Sequence, residues 1–318
     1  MLTLPEHTTI VEVGPRDGLQ SLDRWIPTET KVEMIDLLSA VGFPVIEVTS
    51  LAHPRVVPHL RDAEEVLIKI KRRPGTVYRV LVPNAKGADR AVHAGVDEML
   101  GLIPVSETYC RKNQNMSVAD AIEQVGVAFG IASREGKGFL VALSMSFVCP
   151  YEGRIPERQV MEVFGQLYDR GIRRVYLAAT VGLEEPRHVG SLFQKILARW
   201  PEAELGFHVH NLAGFGLANV LAALDAGALW VEGAICGLGG GIVLPGAIGN
   251  TGNVATEDLV HLLNSTGVRT GLDTSAVIQA AEEIGRLLGI ESTSYATKTP
   301  LRADISVSQR PSAPDTRL

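Results

Sequence analysis

Cysteine is scarce in this chain, and so are aromatic side chains: 318 residues carry three cysteines, and Phe, Trp and Tyr together make up 5%. Cys110, Cys149 and Cys236 lie far apart and form no Cys-x-x-Cys pair. An odd, sparse set excludes a disulfide framework or a cysteine-based zinc site and suits a reducing compartment. No apolar run reaches the ~18 residues that a membrane span needs, and Met1 to His7 has neither the basic nor the apolar region of a secretory leader. A cytoplasmic location and no membrane partner are therefore expected. Positive charge is not in excess either: the net charge is −6 and Lys and Arg are scattered, which argues against nucleic acid as a partner. What is present is apolar material, 46% of the chain, enough for one large α/β barrel or two ordinary domains.

That material is organised as one repeated pattern. β-branched runs at 8–13, 44–49, 77–82, 96–102, 139–146, 174–178, 205–209 and 230–235 read as strands. Helically spaced segments at 28–38, 62–71, 86–94, 117–134, 157–169, 186–199, 214–226 and 256–264 read as helices, with Thr28 as a cap of the first and Gly42 as its stop. Near-continuous apolar strands alternating with amphipathic helices require a parallel sheet covered by helices. Eight such units predict an α/β fold, the (β/α)8 TIM barrel. A doubly wound open sheet is the alternative, but no Gly-x-Gly-x-x-Gly loop follows the first strand and no linker rich in Pro, Gly or Ser divides the chain. Residues 1–270 are expected to form the barrel, and 271–302 a C-terminal helical extension packed on the barrel or against a second subunit. Residues 303–318 are expected to form a loose tail, and the apolar helix at 275–288 makes a homodimer the expected assembly.

Within this frame Phe207-His208-Val209-His210-Asn211 places two imidazoles on one face of a strand, about 7 Å apart at the backbone, a geometry that chelates a divalent cation. A pair of histidines on the wet face of an edge strand is the other reading. In a barrel of this kind catalytic groups gather at the C-terminal strand ends. Those ends carry Arg16 and Asp17, Glu47 with Thr49 and Ser50, Asn84 and Lys86, Arg111 to Asn115, Ser144 and Ser146, Thr180, the two histidines, and the glycine-rich stretch from Cys236 to Asn253. Asp17, His208 and His210 offer a mixed oxygen and nitrogen set suited to Mg2+, Mn2+ or a similar Lewis acid. The alternative for Asp17 is a helix-capping or turn residue before Gly18, and for Glu47 a barrel-interior salt bridge with Arg16, which is compatible with function. Arg16 presents the planar fork that grips a carboxylate or an enolate oxygen.

From about Ile10 to Gly267 the chain resembles the 3-hydroxy-3-methylglutaryl-CoA lyase family, within the metal-dependent barrel lyases and Claisen-type synthases. The resemblance is carried by Val13-Gly-Pro-Arg-Asp-Gly-Leu-Gln20, Ile46-Glu-Val-Thr-Ser50 with Pro54 and Val57-Pro58, Cys149-Pro-Tyr-Glu-Gly153, and Gly252-Asn-Val-Ala-Thr-Glu-Asp-Leu-Val260. It implies a divalent metal held by Asp17, His208, His210 and Asn253, with Asn250 as a rival for the last place. It also implies Arg16 at the enolate oxygen and Glu47 supporting the site; Arg16, Glu47 and His208 are the expected catalytic residues. Gln20, Asn113 and Thr180 are the expected substrate contacts, Asn113 resembling a family position near the acyl-CoA.

Two departures stand out. The family's Gly-Leu-Gly-Gly-Cys loop, whose cysteine protonates the departing enolate, reads Gly237-Leu-Gly-Gly-Gly241 here. The family's Gly-Asp-Thr reads Ala178-Ala-Thr180. Cys236 precedes the turn and reads as a buried small hydrophobe. The expected activity is cleavage of a 3-hydroxyacyl-CoA, with hydroxymethylglutaryl-CoA the first substrate to try. A related aldol or Claisen-type reaction, with water or a tyrosine replacing the lost acid, is the second reading; a silent barrel that binds metal or acyl-CoA is the third.

Overall fold

The computed structural model describes residues 2–240, 252–301 and 305. Its strands are β1 (Thr9–Glu12), β2 (Val45–Ser50), β3 (Val77–Leu81), β4 (Glu98–Pro104), β5 (Gly138–Ser144), β6 (Arg174–Ala179), β7 (Glu204–Val209) and β8 (Trp230–Gly233). They close into one parallel barrel in the order β1-β8-β7-β6-β5-β4-β3-β2. All eight expected strands are present, and the fold is the TIM barrel. The open-sheet alternative is excluded because β8 pairs with β1, Val231 facing Ile10.

The outer layer is α1 (Thr28–Val41), α2 (Ala63–Lys69), α3 (Ala85–His93), α4 (Glu107–Gln114), α5 (Val118–Arg134), α6 (Glu157–Asp169), α7 (Pro186–Arg199), α8 (Gly216–Asp225), α9 (Thr256–Ser265) and α10 (Thr274–Leu288). Local chemistry sets these bounds. Ser117 and Asp120 form a reciprocal capping box at the start of α5. The buried Ala121, Ile122, Val125, Ala128, Ile131 and Ala132 of that helix recur at helical spacing, the larger ones each contributing about 1.5–3 kcal/mol on burial. Glu185 caps α7, whose first position is Pro186. Gly42 ends α1 at φ 93° as expected. Thr28, by contrast, is not the cap. Pro27 holds that position, and the Thr28 hydroxyl donates to Asp62 Oδ2 at 2.7 Å, tying α1 to the turn before α2.

Three features were not expected from the sequence: the helix α4, a short hairpin pairing Val148–Cys149 with Gly153–Arg154, and a tight π-turn over Gly14–Gly18. Helix α10 packs beside the barrel on α1 and α9. The expected tail, 303–318, lies outside the described residues except for Ile305. No described helix is long and apolar enough to cross a membrane.

A buried carboxylate joins the two ends of the barrel sequence. Glu12 Oε1 accepts the N–H groups of Gly14 (2.7 Å) and Ile235 (2.9 Å), and Oε2 lies 2.6 Å from Thr256 Oγ1. Burial pushes the Glu12 carboxyl up to about 8. A group whose folded pKa is raised stabilises the fold below its unfolded pKa and loses that contribution as pH rises through the folded value. Thermal denaturation is therefore expected to show the melting temperature falling by a few degrees between pH 4.5 and about 8 and levelling off above. In Glu12→Gln this slope should be clearly reduced; an unchanged slope would show that Glu12 is not its source.

Candidate metal centre

The site starts from the π-turn after β1. The N–H groups of Arg16, Asp17 and Gly18 all point at the carbonyl of Val13, at 3.1, 2.8 and 3.4 Å, which winds the chain tightly and brings two adjacent charged side chains to the barrel mouth. Both are buried, Arg16 and Asp17 being 7% and 6% exposed. Arg16 binds Asp17 Oδ1 at 2.7 Å through one nitrogen and Glu47 on β2 through Nε. The salt-bridge reading of Glu47 thus holds, and together with Asp17 it fixes the position of the guanidinium.

Across the barrel, His208 on β7 and His210 just beyond its end bring their Nε2 atoms to 3.1 Å of each other. His210 Nε2 lies 3.5 Å from Asp17 Oδ2. One ligand atom from each of Asp17, His208 and His210 falls within 4.8 Å of the others, all three residues buried. Both imidazoles are in the interior, so the edge-strand reading is excluded. Asn253 joins them because residues 252–254 run antiparallel to 209–211, the N–H of Asn211 donating to Gly252 O at 2.9 Å and that of Val254 to Val209 O at 3.2 Å. Asn253 Nδ2 donates to Asp17 Oδ2 at 2.7 Å, while its buried Oδ1 has no partner. Asn250 lies outside the described residues.

The approach of Asn253 requires a glycine opposite it. Gly239 sits at φ 146°, and a Cβ there would come within 1.9 Å of Asn253 Nδ2. The glycines of this stretch are in part a steric requirement of the Asn253–Asp17 bond.

Electrostatics at the centre follow from dense packing of charge away from water. Burial alone would raise the Asp17 carboxyl, but the Arg16 guanidinium and the contact with His210 outweigh it and hold Asp17 well below the usual range. Burial disfavours the charged form of His208, yet its bond to Glu232 and the charge of Asp17 leave it raised. For His210 burial wins, and the ring is held toward its neutral form. A carboxylate and two imidazoles converging in a buried space, with the unpartnered amide oxygen of the neighbouring Asn253, fit a divalent cation of Lewis-acid type.

The expected substrate contacts are more dispersed. Gln20 is half-buried just after the π-turn. Asn113 lies on α4, its amide 3.4 Å from the Tyr109 hydroxyl. The Thr180 hydroxyl accepts the N–H of Met145 at 2.9 Å, so it braces the end of β5. Cys236 is turned away: its Sγ donates to Ala281 O on α10 at 3.1 Å, the buried small side chain that the sequence indicates.

The HMGL-like family pattern matches residues 7–284. The chain belongs to the HMGL-like family. Its relatives include the mitochondrial hydroxymethylglutaryl-CoA lyase of Mus musculus, 38% identical over 92% of this chain and 90% of that one. The hydroxymethylglutaryl-CoA lyase YngG of Bacillus subtilis is 37% identical over 90% and 94%. Among solved structures, an HMG-CoA lyase from Acinetobacter baumannii, in complex with coenzyme A and 3-methylmalate, superimposes with a TM-score of 0.89 at 36% identity, covering 96% of this chain and 99% of that one. These relatives are carbon–carbon lyases.

Four buried side chains of the HMGL-like barrel, Arg79, Glu98, Tyr176 and Glu232, carry charge or a hydroxyl into its interior and were not singled out from the sequence, nor was the partly exposed Arg174. Glu232 Oε2 lies 3.1 Å from His208 Nδ1, and Oε1 accepts from Arg79 at 2.8 Å; Arg79 also binds Glu98 at 2.7 Å, and Glu98 binds Arg174. The Tyr176 ring stacks on His208, centroids 5.6 Å apart. The available signal was a polar residue at an inward position of an otherwise apolar strand, as in Val77-Tyr-Arg-Val-Leu81 and Trp230-Val-Glu-Gly233. His210→Ala and Asn253→Ala should each weaken Mn2+ binding at least tenfold by calorimetry with the circular dichroism spectrum unchanged. Gly239→Ala should do the same by displacing Asn253. Wild-type affinity in His210→Ala would remove that imidazole from the centre.

Proposed function

We propose that this chain is a divalent-metal-dependent carbon–carbon lyase that cleaves hydroxymethylglutaryl-CoA to acetyl-CoA and acetoacetate, using Mg2+ or Mn2+. One observation carries the proposal: the donors of Asp17, His208 and His210 converge within 4.8 Å, next to a guanidinium held by Glu47, in a chain whose relatives over nine-tenths of its length carry that activity in their names.

Breaking the bond between a tertiary alcohol carbon and the carbon alpha to a thioester needs an ionisable hydroxyl and a sink for the enolate. Asp17, His208, His210 and Asn253 would hold the cation, and a divalent ion there would supply the Lewis acidity that lowers the pKa of the substrate hydroxyl. Arg16 neutralises charge on the thioester oxygen, charge that grows only as the bond breaks. Glu47 keeps the Arg16 fork in place, and burial of both residues removes the water that would screen it. Gln20, Asn113 and Thr180 contact the substrate, Asn113 on the acyl-CoA side. The protein works in the cytoplasm, and α10 contributes to a homodimer.

A second reading, the same bond chemistry on a different hydroxyacyl-CoA or hydroxy acid, is favoured by the proton-handling positions. Ala179 stands where a carboxylate is expected, and the stretch Gly241 to Thr251 contains no ionisable side chain at all. The acid that completes the reaction then comes from water or a tyrosine; Tyr109 and Tyr176 are buried tyrosines near the site, and burial holds both hydroxyls in their protonated form.

A panel of acyl-CoAs and hydroxy acids decides between the two, with Mg2+ or Mn2+ present and acetyl-CoA release followed. Turnover of hydroxymethylglutaryl-CoA supports the first reading. Turnover confined to another member, among which a methylmalate-type thioester belongs, supports the second. No turnover of any member would contradict both. Arg16→Met is expected to lower kcat by about 10²–10³ with a smaller effect on KM, and unchanged kcat would remove Arg16 from the reacting centre.

A further inference from the structure

The buried carboxylate of Glu232 lies behind the metal centre, on the side of His208 away from the mouth. It is fully buried, as is Arg79. Oε2 lies 3.1 Å from His208 Nδ1; Oε1 accepts from Arg79 at 2.8 Å and from Trp230 Nε1 at 3.3 Å. Arg79 is held in turn by Glu98, which also binds Arg174. These side chains come from β8, β7, β3, β4 and β6, so the network crosses the barrel interior. It ends at one nitrogen of one imidazole.

We propose that Glu232, clamped by Arg79, is a positioning residue that fixes His208 as the tautomer with hydrogen on Nδ1, leaving the Nε2 lone pair for a divalent ion. The inference rests on the metal-dependent reading of the site and extends it to residues that touch neither ion nor substrate. The chemistry is one of donor and acceptor count. An ionised carboxylate only accepts, so the ring nitrogen that faces it must carry hydrogen. The other nitrogen is then bare, and it is the one that meets His210 Nε2 at 3.1 Å. The stacked Tyr176 ring, 24° from parallel, limits rotation of the imidazole about that bond. Metal-bound histidines are commonly oriented by such a partner, whose loss weakens metal affinity about 10–100-fold.

Arg79 gives the idea a sharp test. In Glu232→Gln the guanidinium, which only donates, must face the amide oxygen. The amide NH2 is then left to face His208 Nδ1, and the hydrogen moves to Nε2, where it blocks the ion. Calorimetry with Mn2+ and no substrate should show affinity weakened at least tenfold in Glu232→Gln and largely kept in Glu232→Asp, with circular dichroism reporting the fold. In the wild-type protein without metal, nitrogen-15 shifts at alkaline pH, where the ring is neutral, should place the His208 hydrogen on Nδ1; this reading stands even if a variant fails to fold. Hydrogen on Nε2 in the wild type, or Mn2+ affinity unchanged in Glu232→Gln, would overturn the proposal. Absence of Mn2+ binding to the wild type would overturn the metal reading with it, whereas failure to turn over hydroxymethylglutaryl-CoA with Mn2+ bound tightly would count against the substrate alone.

Discussion

The Asp17 carboxylate is the group on which the rest of this structure turns. It is buried at the mouth of the barrel and touched by Arg16, His210 and Asn253. A charge removed from water in this way is tolerated only when surrounded by compensating donors. The compensation comes from parts of the chain up to 236 residues apart: the π-turn after β1, the end of β7 and the return strand at 252–254. Closure of the barrel between β1 and β8 is what makes them neighbours. Fold and site are in that sense one constraint, since the same β1–β8 pairing that completes the sheet brings Asp17 to the segments carrying the imidazoles.

The interior beneath the site has an unusual composition for a barrel core. Packed apolar layers would suffice for stability, yet the interior holds Arg79, Glu98 and Glu232, paired in a chain that runs from the partly exposed Arg174 to His208, while Glu47 pairs separately with Arg16. Buried ion pairs are weak evidence of stabilisation, because desolvation offsets most of their attraction. Their value here lies in direction: each carboxylate and guanidinium restricts the rotamer of the next, and the last member is the His208 ring. A hydrophobic lumen could hold the strands but could not orient an imidazole.

Much of this was legible in the sequence, and the reasons are local. Eight strands read correctly because each is a short β-branched run bounded by a helix with regular apolar spacing, as at 157–169, where the expected and observed bounds of α6 coincide. Arg16, Asp17, His208, His210 and Asn253, which the structure brings together, could be picked out because they stand in distinctive motifs near strand ends. Helix α4 was missed because Glu107–Gln114 carries few apolar residues, its helical state set by the Ser106 cap. The lumen network was missed for a different reason: alternation shows that Arg79 or Glu232 points inward, but only the barrel's closure and register bring residues of non-adjacent strands together.

The account reduces to one ion in one place, and an anomalous difference map of crystals grown with Mn2+ tests that claim most directly. A single peak bonded to Asp17, His208 and His210, with the Asn253 amide oxygen turned toward it, is the predicted result. A map in which Mn2+ is bound elsewhere, with those three side chains engaged only with one another, would contradict it.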